Sequence, residues 1–254
     1  MRDDGAARWA SRISLRSIRA TGFALLLSAA PSFAQTADAV LPVSGAVCAH
    51  MKQHHVLNPG APVPCERLRL LTFSYLGFDG QTHDDAQMIV MDAVAGHALA
   101  VFGALRARRF PIFSVRLMDQ FEGDDDASTA RNNTSAFNVR AVAGGGRAIS
   151  LHAYGVAIDL NPLQNPFITF QNGKRNIDPP SAGEYVRRTP RRPGMAEDVI
   201  AIFAAHGFTE WGGRWHNPID YQHFQVPRAL ADRLARASAA QARTLFEQSI
   251  PPAR

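Results

Sequence analysis

Two cysteines among 254 residues are too few for a cysteine-rich zinc scaffold or a multi-disulfide mini-protein. Long apolar runs are missing as well, since none reaches the roughly 18 residues that a membrane span needs. Charged residues are scarce at 19%, against 46% hydrophobic ones, and the 19 Gly and 16 Pro follow no period. Disorder, collagen and coiled coil are thereby excluded. What remains is material for one good core and perhaps a small appendage.

The net charge of +5 suggests a nucleic-acid partner until its source is located. Arg2, Arg8, Arg12, Arg16 and Arg19 crowd the first 34 residues, followed by an apolar stretch from Gly22 to Ala30 and small residues at Ser32-Phe33-Ala34. That order predicts a secretory signal over 1–34. The remainder carries only a small positive excess, scattered among acidic residues, so no nucleic-acid partner is expected. With no lipid-attachment cysteine after the signal and no wall-anchoring tail, the expected location is periplasmic or secreted.

Export places Cys48 and Cys65 in an oxidising compartment, where a disulfide is expected. A rival reading joins them to His50, His54 and His55 as a metal site, but the spacing matches no zinc pattern. Residues 35–69 show no sustained period and are expected to form an irregular segment pinned by that bridge, ahead of a main domain over 70–254.

Within the main domain, Met91, Val94, Ala98, Phe102 and Leu105 follow helical spacing, with Asp84 or Asp85 as the cap. Pro111 to Met118 and Ser135 to Val142 alternate as half-buried strands, the second presenting Arg140 on its polar face. Asp124-Asp125-Asp126 between them predicts a solvated turn; a calcium site there would lack EF-hand spacing. Gly144-Gly145-Gly146 lacks the Lys and Ser/Thr of a phosphate loop and is expected to turn a hairpin. A long excursion from Asn161 to Pro193 carries Arg187, Arg188, Arg191 and Arg192, expected to face solvent. A short helix then stops at Gly207, a strand covers His223 to Val226, and Pro227 opens a final amphipathic helix. Strands and helices mixed without regular alternation indicate an α+β fold, a small antiparallel sheet with flanking helices.

Two short segments carry the chemistry. In Ser150-Leu-His-Ala-Tyr-Gly-Val-Ala-Ile-Asp159, Val156, Ile158 and Leu160 take one strand face and leave Asp159 on the other, where a carboxylate is costly unless compensated. In Asp220-Tyr-Gln-His-Phe-Gln225, His223 and Gln225 lie opposite Phe224 and Val226. His152, Asp159 and His223 would suit a catalytic zinc with a fourth position left to water. Asp220, three residues before His223, is the candidate proton acceptor, and Arg140 the candidate cation for an oxyanion. Against this stands the bland view that isolated histidines are satisfied core residues, which is the expectation for His97 and His206.

The pattern Ser150-x-His152-x-x-Gly155-x-Ala157-x-Asp159, then Gly207-Phe208, Trp211-Gly-Gly-x-Trp215 and Asp220-x-x-His223-Phe224, resembles the M15 metallopeptidases. These include zinc D-Ala-D-Ala carboxypeptidases and L-alanyl-D-glutamate endopeptidases. Asn133 to Arg140 resembles the segment that supplies their catalytic arginine. The resemblance implies Zn2+ held by His152, Asp159 and His223, with Asp220 as general base. It further implies Arg140 polarising the scissile carbonyl and Ser150 helping to bind substrate. The implied substrate is the peptidoglycan stem peptide, and the implied fold is the small α+β domain shared with Hedgehog signalling domains. A non-catalytic zinc-stabilised module that binds the cell wall or a partner protein is the alternative. The N-terminal segment and the Arg-rich excursion match nothing in that pattern.

Overall fold

The computed structural model describes residues 38–142 and 148–252. The expected leader and the Gly144–Gly146 turn lie outside them. Among the described residues no helix is long and apolar enough to cross a membrane.

Chain order runs β1 (Ala39–Pro42), α1 (Gly45–Gln53), β2 (Leu68–Leu76), β3 (Thr82–Met91) and α2 (Ala95–Ala107). Next come β4 (Ser114–Val115), α3 (Asp125–Ala130), β5 (Asn133–Thr134), β6 (Ala157–Asp159), β7 (Phe167–Gln171) and β8 (Lys174–Asp178). The chain closes with α4 (Ile200–Ala205), β9 (Glu210–Trp211), β10 (Ile219–Asp220), β11 (His223–Gln225), α5 (Arg228–Arg236) and α6 (Ala239–Glu247).

The class is α+β, with the antiparallel strands divided among three small sheets ordered β1-β2-β3, β10-β7-β8 and β6-β11-β9. A two-residue parallel pairing joins β4 to β5. Helix α2 covers the first sheet, where Phe102 stacks on Phe73 with ring centroids 4.3 Å apart. In the third sheet Phe224 stacks on Phe203 of α4 at 3.8 Å, and Trp211 extends that aromatic layer. Burying these rings outweighs the weak propensities of such short strands.

Several expectations fail in instructive ways. Of the segment 35–69, the described part from Asp38 is not irregular: β1 pairs antiparallel with β2, and α1 is capped by Ser44 and tied down by the Cys48–Cys65 disulfide. Asp84 and Asp85 do not cap α2 but sit in β3, which runs on to Met91 because Met88 to Met91 are buried against β2 and the helix. Pro111–Met118 holds only the two-residue β4, and Phe113 is exposed. The final helix is two, since Ser238 and Gln241 form a capping box that starts α6 afresh. His97 and His206 are half-buried rather than core residues, with His97 bonded to Glu247.

The excursion after Asn161 is folded as well. It forms the β7–β8 hairpin, which β10 extends; Arg187 faces solvent as expected, while Arg188, Arg191 and Arg192 are engaged. Arg188 forms two bonds to Glu197 and lies over the Tyr221 ring at 4.2 Å. Arg191 pairs with Asp198, and Arg192 with Glu184.

Candidate metal centre

His223 stands directly opposite Asp159 in the β11–β6 register. Its Nδ1 lies 2.9 Å from one Asp159 oxygen, while His152 Nε2 lies 3.1 Å from the other and 3.2 Å from His223 Nδ1. Among the described residues, this trio alone brings three ligand atoms within 4.8 Å of one another, and all three residues are buried.

Local sequence explains the placement of His152. Its 3-10 turn, Leu151–Tyr154, is capped by Ser150, whose Oγ accepts the His152 N–H, and it ends at Gly155 with φ 69°. Gly155 O accepts the Met91 N–H at 2.8 Å. A Cβ at Gly155 would approach that nitrogen to 2.6 Å, so only glycine lets the turn dock on the end of β3.

Outer partners determine which nitrogens face inward. His152 Nδ1 lies against the Ala136 carbonyl, which only accepts, so Nδ1 carries the proton and Nε2 presents a lone pair. Gln225 donates its amide to Glu210, leaving its Oε1 to accept from His223 Nε2 at 2.7 Å. His223 Nδ1 therefore also presents a lone pair. Burial would raise the Asp159 carboxyl, but its neighbours His152 and then His223 hold it below its usual range, so it presents a carboxylate. Two lone pairs and a carboxylate converging without protons form a donor set that a divalent cation satisfies. Gln225 was legible only as a residue on the His223 face; its partner Glu210 had no signal.

The tryptophan-glycine motif supports the neighbouring Asp220. Trp211 Nε1–H donates to Tyr221 O at 2.8 Å, and the Trp215 ring lies 5.4 Å from that of His223. A Cβ on Gly212 would approach Asp220 O to 2.6 Å, which makes this glycine the condition for the close approach. Asp220 is buried, and its Oδ1 has no partner among the described residues. Burial pushes its carboxyl up to about 7, with Asp159 adding to the rise while His223 and Arg140 oppose it.

Arg140 is held differently from expectation. Ser135–Val142 is extended chain with isolated bridges at Ser135–Asp159 and Ala141–Ile149, not a strand. Arg140 forms an ion pair with Asp125, so the acidic stretch is no bare solvated turn. Asp124 caps α3, and Asp125 also accepts from Asn138. Arg140 and Asp220 line one cleft of about 460 Å³ together with Asp125, Asp126, Asp178 and Gln222.

Residues 143–226 match the Peptidase_M15_4 family model, described as D-alanyl-D-alanine carboxypeptidase. The match spans Ser150, the three converging residues and Asp220, while Arg140 precedes it. No curated protein and no solved structure matches the chain. The stretch that builds the centre is thus similar to the M15 peptidases.

Proposed function

We propose that the protein is an exported zinc peptidase that hydrolyses a bond in the peptidoglycan stem. Its family acts on peptides of the D-Ala-D-Ala type. The observation that carries the reading is the convergence of three proton-free acceptors beside a buried, unpartnered carboxylate. His152 Nε2, Asp159 and His223 Nδ1 are the ligands in this proposal. Zinc, when bound, supplies a Lewis acid that polarises a carbonyl and acidifies a water.

The remaining work falls to the chain itself. Asp220 takes the proton of the attacking water on a carboxylate oxygen and returns it to the departing amine. Its unusually basic carboxyl suits both halves of that transfer. Arg140, steadied by Asp125, offers its remaining N–H groups to the oxygen that gains charge. Ser150 already serves the turn beneath His152, so its part in substrate binding is secondary to holding that ligand.

Digestion of purified muropeptides with zinc present, followed by mass spectrometry, tests the reading. Loss of one alanine identifies a carboxypeptidase, the outcome favoured by the family description. A cut inside the stem identifies an endopeptidase, and unchanged muropeptides reject the peptidase altogether.

A further inference from the structure

The cleft beyond Asp220 has a charge imbalance that the hydrolytic chemistry does not require. Asp125, Asp126, Asp178 and Asp220 line it, and the one cation among its described lining residues, Arg140, is already paired with Asp125. Asp126 lies in the first turn of α3 and Asp178 ends β8, two elements that pack together. Neither carboxylate has a hydrogen-bond or ion-pair partner among the described residues. Burial, and then the charges of Asp126 and Asp125, push the Asp178 carboxyl up to about 6.

A second, independent deficit lies on the same wall. Gln222 is 6% exposed, and its Oε1 accepts no hydrogen bond. A buried amide oxygen without a donor is destabilising, so an occupant of the cleft that brings donors is favoured. Among the described residues, three His, Cys, Asp or Glu ligands gather only at the His152 group, and a bare metal ion brings no hydrogen-bond donor of its own. A carboxylate-bearing ligand end would be repelled by Asp126 and Asp178.

We propose that this cleft is a subsite for the side-chain ammonium of a diamino-acid residue in the substrate peptide, received by Asp126 and Asp178 with Gln222 as a further acceptor. An ammonium offers three donors and one positive charge, which matches two carboxylates and one orphan carbonyl. The proposal rests on the peptidase reading and sharpens it: the amine-bearing side of the stem lies over the β7–β8 hairpin, and its terminal carboxylate lies elsewhere.

The test uses two stem peptides that differ only at the diamino residue, one with lysine and one with Nε-acetyl-lysine, on the zinc-loaded protein. Wild type should cleave the lysine peptide with a kcat/KM about tenfold higher, the value of a single charge-assisted contact. The doubly substituted Asp126→Asn, Asp178→Asn protein should lose that preference through KM. Equal cleavage of both peptides by wild type, or a preference that survives in the variant, overturns the subsite while leaving the peptidase intact. If wild type cleaves neither peptide, the peptidase reading fails, and calorimetric binding of the same two peptides decides the subsite alone. Tighter binding of lysine that Asp126→Asn, Asp178→Asn abolishes then supports it, and equal binding overturns it.

Discussion

His223 and Asp159 are cross-strand partners whose side-chain atoms meet at 2.9 Å, so the pairing of β11 with β6 and the assembly of the centre are one event. A ligand built on sheet register is held by the backbone ladder and needs little further ordering. Metal binding should therefore stabilise the folded chain directly. The expected outcome is one zinc per chain and a melting temperature that rises with zinc, corresponding to about 2.7 kcal/mol at a hundredfold excess over Kd. Asp159→Ala should abolish both the metal content and the shift.

Outside the trio, the chain from His223 to Gln225 to Glu210 assigns the histidine tautomer. Gln225→Leu keeps the volume but removes the acceptor for the Nε2 proton. Zinc affinity, followed by competition with a chromophoric chelator, should fall by about 10- to 100-fold. Fold and disulfide should be retained, since Gln225 faces away from the Phe224 layer.

Asp220 should separate metal binding from turnover. Asp220→Asn preserves shape but cannot take up a proton. The zinc content should remain at the wild-type level while kcat falls by about 10²- to 10⁴-fold. A variant that lost zinc as well would show Asp220 to be a ligand rather than the base.

The parts of the centre legible in the sequence are those set by local geometry. Period-two alternation put His223 and Gln225 on one face of a strand, and Val156, Ile158 and Leu160 marked Asp159 as the odd residue in an apolar run. Partners distant in sequence left no such mark. Arg140 meets Asp125 from an acidic stretch that looks like any solvated turn, and Glu210 reaches His223 only through Gln225. Apolar spacing places the start of α2 too early because it continues unbroken from β3, whose last residues are buried on both faces. The β7–β8 hairpin was hidden by Asn and Pro around short strands, yet it carries Asp178 and pairs with the strand that ends in Asp220.

Arg188 illustrates the same lesson and can be measured. Its guanidinium holds Glu197 by two bonds, also donates to the Gln164 and Tyr185 carbonyls, and is largely buried. Burial would raise the Glu197 carboxyl, but Arg188 reverses this and keeps it low. Arg188→Ala strands a buried carboxylate and should cost about 3 kcal/mol in urea unfolding. A surface arginine would cost almost nothing, so the two readings of this stretch differ by a measurable midpoint shift.

Asp178 should show the opposite sign. Its folded carboxyl titrates near 6, above the ordinary 3.8, so the native state binds the proton more tightly than the unfolded chain does. As pH rises from about 4 to above 6, ionisation in the folded state occurs at a cost, and this contribution to stability is lost. Asp178→Asn removes the charge without removing the side chain. The variant should melt higher than wild type at pH 7.5, and the difference should vanish at pH 3.5, where both side chains are neutral. Melting curves across that range provide the check, and a difference that does not change with pH would show that Asp178 feels no net repulsion. Because the same charge is what the cleft offers an ammonium, the gain in melting temperature should accompany a loss of affinity for the lysine-containing peptide.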